Sequence, residues 1–509
     1  MRQLLLSTAL AGVAFYPQAL HAQSWTGGTD TVFSTATNWN TGVAPVAAGT
    51  VTISGVFANS PVVTADTANL NAVSLTSGTL GINAGATLFT DSLTVTGAVV
   101  SGLGSVATNS LTVNGGGVQT ALAVATLATL NGGTISGDIS GAGAVVVASG
   151  NAILSGTNTY SGGTTISAGS ALTVSGSVTG DILNNSILFL SPSGTSTYGG
   201  VISGTGAVNK QNLGTLILTG ANTYGGGTNI AFGTLKTGAD NVLSSSSALN
   251  IAAGATLDLS NTRQTVASLA GAGTFNNGGG NKFTFGADNT STSFSGNIIG
   301  SMWMNKVGTG TFSFSGTGTV SVFSPFEVVG GTLAMVGTGS LVGASLNVHS
   351  GAALDISATI GGASFGYVLG GAGSAIHLGS KTLTIENSVT AISTTIDSVI
   401  DGSGGLTLGQ TSRPTLSGVN TFTGPTTLTT ATSSLSIGTA NAIATSSEVN
   451  LAASGAKLDI SVAPADVSIR ALRGVIGSLV TVFNNNLVIT NAASDFAGII
   501  KPADRKSVV

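Results

Sequence analysis

Gly220-Ala221-Asn222-Thr223-Tyr224-Gly225-Gly226-Gly227-Thr228-Asn229-Ile230 is one of three near-copies of a single segment. It matches Gly156-Thr157-Asn158-Thr159-Tyr160-Ser161-Gly162-Gly163-Thr164-Thr165-Ile166 upstream and Gly418-Val419-Asn420-Thr421-Phe422-Thr423-Gly424-Pro425-Thr426-Thr427-Leu428 downstream. Each copy reads as strand, turn, strand. Asparagine and glycine tolerate positive φ, so the reading puts them at the corner, with the aromatic ring covering the apolar stack beside it. Gly169-Ser170-Ala171-Leu172, Gly233-Thr234-Leu235 and Gly331-Thr332-Leu333 mark the start of the next strand. Short apolar–polar alternation, broken by glycine and asparagine, is the pattern of many stacked short strands.

The spacing of these strands indicates how they stack. Ser74-Leu75-Thr76, Ser92-Leu93-Thr94, Ser110-Leu111-Thr112 and Thr129-Leu130-Asn131 recur at intervals of 18, 18 and 19 residues. Rungs of roughly 18–25 residues suit a parallel β-helix, in which each inward Leu or Val lies about 4.8 Å from its equivalent in the previous rung. A second signature, Leu257-Asp258-Leu259-Ser260, Leu354-Asp355-Ile356-Ser357 and Leu458-Asp459-Ile460-Ser461, recurs after 97 and 104 residues. It suggests a module of about five rungs. Alternation turns both aliphatic residues of each quartet inward and the aspartates outward. The expected fold is all-β: one elongated right-handed parallel β-helix (solenoid) with an N-terminal cap, its 20–25 or so rungs spanning on the order of 100–120 Å.

Composition excludes several function classes. Only 6% of the 509 residues are charged, and no lysine or arginine occurs between Arg2 and Lys210. Ordinary soluble domains carry roughly 25% charge. With 42% hydrophobic residues the chain can offset its conformational entropy, so it is not simply disordered. A net charge of −4 attracts no phosphate, so nucleic acid is not an expected partner. There is no cysteine, which removes disulfides, thiolate metal sites and cysteine nucleophiles.

The remaining candidates for chemistry are sparse. His349 and His377 stand 28 residues apart without a His-x-x-x-His pair, and no Gly-Asp-Ser-Gly nucleophile turn occurs. Asp397 and Asp401 are the closest acidic pair of the mature sequence, about 13 Å apart along a strand, with Arg413 downstream. That separation is too long for paired acid–base work unless a corner brings them together. The run Gly278-Gly279-Gly280-Asn281 lacks the aspartates of a calcium-binding repeat and reads as a flexible corner. No catalytic, cofactor-binding or metal-ligating residue is therefore assigned, and no cofactor is expected.

The N-terminus has the parts of an export signal: Arg2, the apolar stretch Leu4–Phe15, and a cleavage region at Ala19-Leu20-His21-Ala22. Neither this run nor any later one suits a membrane-spanning segment of the mature chain.

These residues together resemble the autotransporter-associated β-strand repeat, also called the passenger-associated transport repeat. Its core reads approximately Gly-x-Leu-x-Leu-x-Gly-x-Asn-Thr-Tyr-x-Gly-Gly-Thr-x-Ile-x-x-Gly-x-Leu. Gly214-Thr215-Leu216-Ile217-Leu218-Thr219-Gly220 through Leu235 fits it almost completely, and 150–172 fits well. Phe422 and Pro425 depart from it, and Lys306-Val307-Gly308-Thr309-Gly310 keeps only its beginning. Trp25, Trp39 and Pro45 are similar to the opening segment of such proteins.

The resemblance implies export through the inner membrane of a Gram-negative bacterium and a place at the cell surface, at the outer membrane or in the medium. It implies a non-catalytic passenger, a surface adhesin or cell-aggregation protein whose partners are glycans or identical chains on neighbouring cells. The alternatives are an inert spacer or truncated remnant, and a β-helical polysaccharide-degrading enzyme. Members of the family usually end in a membrane β-barrel, which is not recognisable here. Lys501-Pro502-Ala503-Asp504-Arg505-Lys506-Ser507-Val508-Val509, with four charged residues in nine, reads as an interrupted frame or a small native cap. The expected organisation is a signal peptide at 1–22, cap and first rungs at 23–60, β-helical repeats at 61–500 and a charged tail at 501–509.

Overall fold

The computed structural model describes residues 22–319, 325–341, 343–387, 393–491 and 494–502. The export signal falls on 1–22 and so lies outside them but for its last residue, as do residues 503–509 of the tail. Among the described residues there is one 3-10 turn, Ala36–Asn38, and no α-helix, and every named strand pairs in parallel with its neighbours. The chain divides into two compact units, Met1–Val145 with Thr159–Gly162, and Val146–Asn158 with Gly163–Val509.

In the first unit one ladder runs Thr50–Ile53, Leu70–Leu75, Thr87–Thr96, Ser105–Asn114, Ala121–Ile135. A second runs Val62–Val63, Thr79–Ile82, Val99–Ser101, Gly117–Val118. Successive strands are one β-helical rung apart, and the alternate residues Val51, Ile53, Val73, Leu75, Leu93, Val95, Leu111 and Val113 are buried inside. The expected register holds only in the middle. Leu93 faces Leu111, but Leu75 faces Val95 and Leu130 faces Val113. Both departures are slips of two residues. Because side chains alternate with period two, such a slip keeps every apolar residue inside, so the sequence pattern fixes the face and leaves the register free by twos.

The N-terminal segment packs around aromatic rings. Gln23–Ser24 pairs with Thr50–Ile53. Trp25, Phe33 and Trp39 are buried, with Trp39 edge-on to Trp25 at 5.1 Å and to Phe33 at 5.0 Å. Both indoles find carbonyls, Trp25 Nε1 at Asn59 and Trp39 Nε1 at Phe33.

The second unit is built the same way, with three long ladders and shorter ones such as that of Thr164–Ile166, Ile182–Asn184 and Ile202–Ser203. One runs from Ala171–Val174 through Ala207–Lys210, Thr311–Phe314 and Ala352–Thr359 to Val399–Asp401. The second contains Thr215–Leu218, Thr256–Asp258, Thr274–Phe285, Asn297–Lys306, Phe326–Val328 and Lys457–Asp459. The third runs from Ala363–Phe365 to Leu472–Gly474. Ile499–Pro502 pairs with Leu479–Val482, which pairs with Lys457–Asp459, so the second ladder carries on through Lys501 and Pro502.

Three local readings are corrected. First, the asparagines of the repeated segment have no positive φ; of the glycines in the three copies only Gly163, at +76°, has one. Asn158, Asn222 and Asn420 are buried, and they join rungs. Asn222 accepts from the Ile202 N–H at 2.7 Å and donates to the Val242 carbonyl at 2.7 Å; Asn420 does the same with Ile400 and Ala442, each at 2.8 Å. A primary amide has a donor and an acceptor on opposite sides, which is what an inward residue between two parallel rungs can use.

Tyr160, Tyr224 and Phe422 are likewise wholly interior. The Tyr224 hydroxyl bonds Thr228 Oγ1 at 2.6 Å, which bonds Ser247 Oγ at 2.7 Å; where Phe422 lacks the hydroxyl, Thr426 turns to Ser446 alone. Gly226 and Gly424 serve close approach: a Cβ there would lie 2.4 Å from the backbone carbonyl carbon of Gly206 or Gly404.

Second, the run 278–281 is no corner. It lies within the strand Thr274–Phe285, whose pairing slips between Asn276 and Gly279 and again between Gly279 and Lys282. A Cβ on Gly279 would lie 2.0 Å from Asn261 Oδ1, so the glycines allow a bulge to press against the preceding rung.

Third, the Leu-Asp quartets do not mark a whole number of rungs. Traced through their partners, Asp258 continues to Asn276, Asp355 to His377, and Asp459 to Ser436, Thr415, Asn347, Glu327 and Asn305. They sit on three different lines of the stack. What repeats is local. In all three the aliphatic neighbours are buried, and the aspartate Oδ1 accepts the backbone N–H of the serine two residues on, at 3.0, 2.9 and 3.0 Å.

Two lysines lie inside. Lys210 occupies the inward line between Leu190 and Ile230, and Lys306 that between Phe285 and Val328. They are 1% and 2% exposed. Lys210 Nζ donates to the carbonyls of Gln211, Asn212 and Phe232, and Lys306 Nζ to those of Val307, Gly308 and Gly330, all within 3.2 Å. Burial pulls each down from 10.5 to about 8.

A folded-state value below the unfolded one means that above about pH 8 the unfolded chain holds protons the folded chain has released. The lysines' contribution to stability should therefore be flat from neutral pH to about 8 and rise with pH up to about 10. Tyr224, raised by burial from 10.0 to about 12, adds the opposite slope beyond that. Urea midpoints at pH 7, 8, 9 and 9.7 test this. A falling midpoint across pH 8–9.7 would refute it, and Lys210→Met with Lys306→Met should remove the rise.

Candidate binding surface

In Thr87–Thr96 the inward set is Leu88, Thr90, then Leu93 and Val95, so the alternation skips a residue at Asp91-Ser92. Ser105–Asn114 skips at the same place, with Val106 and Thr108 followed by Leu111 and Val113. Each buried threonine closes its own bend: Thr90 Oγ1 donates to the Ser92 carbonyl at 2.9 Å and Thr108 Oγ1 to that of Ser110 at 2.7 Å. On the next strand, Ala121–Ile135, the pairing slips between Val124 and Leu127. Three consecutive strands therefore bend in line, and Asp91 and Asn109 point outward from the bend.

A cleft of about 390 Å³ lies there. Its apolar side is the in-register row Phe89, Ala107 and Ala123, with Phe89 37% exposed. Its polar side is Asp91, whose Oδ1 accepts from Asn69 Nδ2 at 3.2 Å and Asn109 Nδ2 at 3.1 Å. Asp91 Oδ2 makes no hydrogen bond among the described residues. The described part of this unit contains no lysine or arginine, so the carboxylate meets no cation. The sequence repeat shows Ser92-Leu93-Thr94 and Ser110-Leu111-Thr112, while the two residues before each, Thr90-Asp91 and Thr108-Asn109, carry the bend and the cleft without a repeat signal of their own.

Elsewhere the outer surface carries polar ladders. Asn250 donates to Asn229 at 2.8 Å and Asn229 to Asn209 at 3.4 Å; Asn131 donates to Asn114 at 2.8 Å and Asn114 to Thr96 at 3.1 Å. The histidines pair across rungs. His349 bonds Glu327, with Asn347 bonding both, and His377 Nδ1 bonds Asp401 at 2.9 Å. No serine hydroxyl bonds either imidazole among the described residues.

Asp401 is thus joined to His377 rather than Asp397, whose backbone N–H is donated to Gly370. Arg413 is exposed on a strand of another ladder, and makes no ion pair among the described residues. No group of three or more His, Asp or Glu side chains suited to a metal converges among the described residues. No helix there is long and apolar enough to cross a membrane.

Parallel rungs carrying an Asn-Thr-Tyr turn define a repeat-built β-solenoid. The family model described as the passenger-associated-transport repeat matches residues 149–174 and 208–236, and the chain carries these autotransporter-type repeats. A curated relative, the "Adhesin BmaC autotransporter" of Brucella suis biovar 1 (strain 1330), is 40% identical over 111 residues. That stretch is 21% of this chain and 3% of the relative, so the match spans a small part of that protein. No solved structure matches.

Proposed function

We propose that this chain is an exported, surface-displayed passenger that acts by binding, as an adhesin or in cell aggregation, and not by catalysis. The observation that carries the reading is the division of labour between inside and outside. The apolar, aromatic and amide side chains that face inward are consumed in holding rung to rung. The outward ones form Thr, Ser and Asn ladders and line the cleft at Asp91, and the aspartates of the Leu-Asp quartets are engaged by the backbone N–H of the serine two residues on. A stack of rungs offers such groups at a constant spacing, which suits contact with an extended partner. The match to passenger repeats and to part of a protein named an adhesin supports the same reading.

The test is display of the chain on a non-aggregating Gram-negative host. Cells should settle or adhere to surfaces several-fold faster than cells displaying an unrelated β-helix of similar length. Equal settling and adherence would reduce the chain to a spacer. Release of reducing ends from polysaccharides by the purified protein would contradict the non-catalytic reading.

A further inference from the structure

We infer that the cleft around Asp91 is a subsite for one or two residues of a neutral glycan. The inference rests on the binding reading above and gives it a place and a ligand class. A pyranose has an apolar C–H face and a rim of hydroxyl donors, and the cleft presents the complement of both. Phe89 offers an exposed aromatic surface continued by Ala107 and Ala123 across two rung spacings, about 10 Å. Single exposed aromatics are ordinary; one that walls a cleft beside an outward carboxylate is a platform.

The polar side is an array of acceptors held in place. The amides of Asn69 and Asn109 both turn their NH₂ groups to Asp91 Oδ1, and this contact fixes their orientation, because a carboxylate cannot donate. Their carbonyl oxygens and Asp91 Oδ2 are left for outside donors. Sugar hydroxyls supply donors at this spacing. The volume falls within the range of small-ligand pockets.

Charge narrows the class. In a unit whose described residues carry carboxylates and no lysine or arginine, a sialylated or sulfated glycan would meet uncompensated repulsion. A lone carboxylate with two amides falls short of the oxygen cage that calcium requires.

The experiment uses the purified chain and calorimetric titration with galactose-, mannose- and N-acetylglucosamine-terminated oligosaccharides, with sialylated and sulfated forms as comparators. At least one neutral class should bind. Phe89→Ala should weaken it at least tenfold, Phe89→Tyr should keep it, Asp91→Ala should weaken it likewise, and the anionic forms should bind less. Phe89 is outward-facing, so Phe89→Ala should keep its circular dichroism and melting profile and is the deciding variant. Unchanged affinity in folded Phe89→Ala, binding of anionic glycans alone, or no neutral binding overturns the assignment. If the parent aggregates cells and Phe89→Ala does so equally, the subsite fails and the adhesin reading survives. If the parent neither aggregates cells nor binds glycan, both fail.

Discussion

Asn222→Ala should open the second unit at the rungs it joins, at a cost of roughly 2–6 kcal/mol. The substitution leaves two buried backbone groups without partners, the Ile202 N–H and the Val242 carbonyl, and each such group costs about 1–3 kcal/mol. Asn222→Asp should rescue only part of this, since a carboxylate can accept from Ile202 but cannot donate to Val242. Asn250→Ala, at an outward ladder position, should stay within about 0.5 kcal/mol. The measurement is amide hydrogen exchange along Ile202–Ser203 and Thr228–Ile230, paired with urea unfolding. A stack of rungs loses cooperativity locally, so a global midpoint alone would understate the effect. Protection equal to the parent at Ile202 would show that the interior amide contributes little.

Phe312→Ala should cost about 3–5 kcal/mol, the usual range for deleting a buried ring. Phe312 is 1% exposed, with Phe285 at 4.8 Å, Phe314 at 6.4 Å and Phe326 at 6.5 Å. Phe275, Phe283 and Phe294 extend the cluster. These rings meet from strands on two ladders, so backbone pairing on both sides resists collapse into the void. Phe312→Leu should cost well under half as much. Loss of exchange protection should centre on Thr311–Phe314 and Gly331–Gly337, which pair directly. A cost below about 1 kcal/mol would mean that the rungs repack freely.

The parallel stack was legible because alternation and an interval near 18 residues are local facts, and Leu93 over Leu111 follows directly from them. Register was less legible, because Val73 and Leu75 satisfy the interior equally well one notch apart. The role of the repeated asparagine is ambiguous in the sequence for a related reason. Asparagine at a glycine-rich turn has two uses, left-handed backbone or a bridging amide, and only the positions of the neighbouring rungs decide between them. The cleft was hidden because its signal is a skipped beat, Leu88-Thr90 then Leu93-Val95, which looks like noise in a period-two pattern. The phenylalanine cluster was hidden too: its members are scattered from 275 to 326 and meet only when the coil closes.

The three Leu-Asp quartets stand on separate lines of the stack while keeping the same aspartate-to-serine hydrogen bond, and this bears on how such a chain grows. A block of about a hundred residues copied in place would land turned to a fresh side, folding by the same short-range instructions. Its side chains would populate a stripe that the parent block had left to others. Lengthening by duplication would thus diversify the exterior without any point mutation, and selection would have new facets to act on before the copies had diverged.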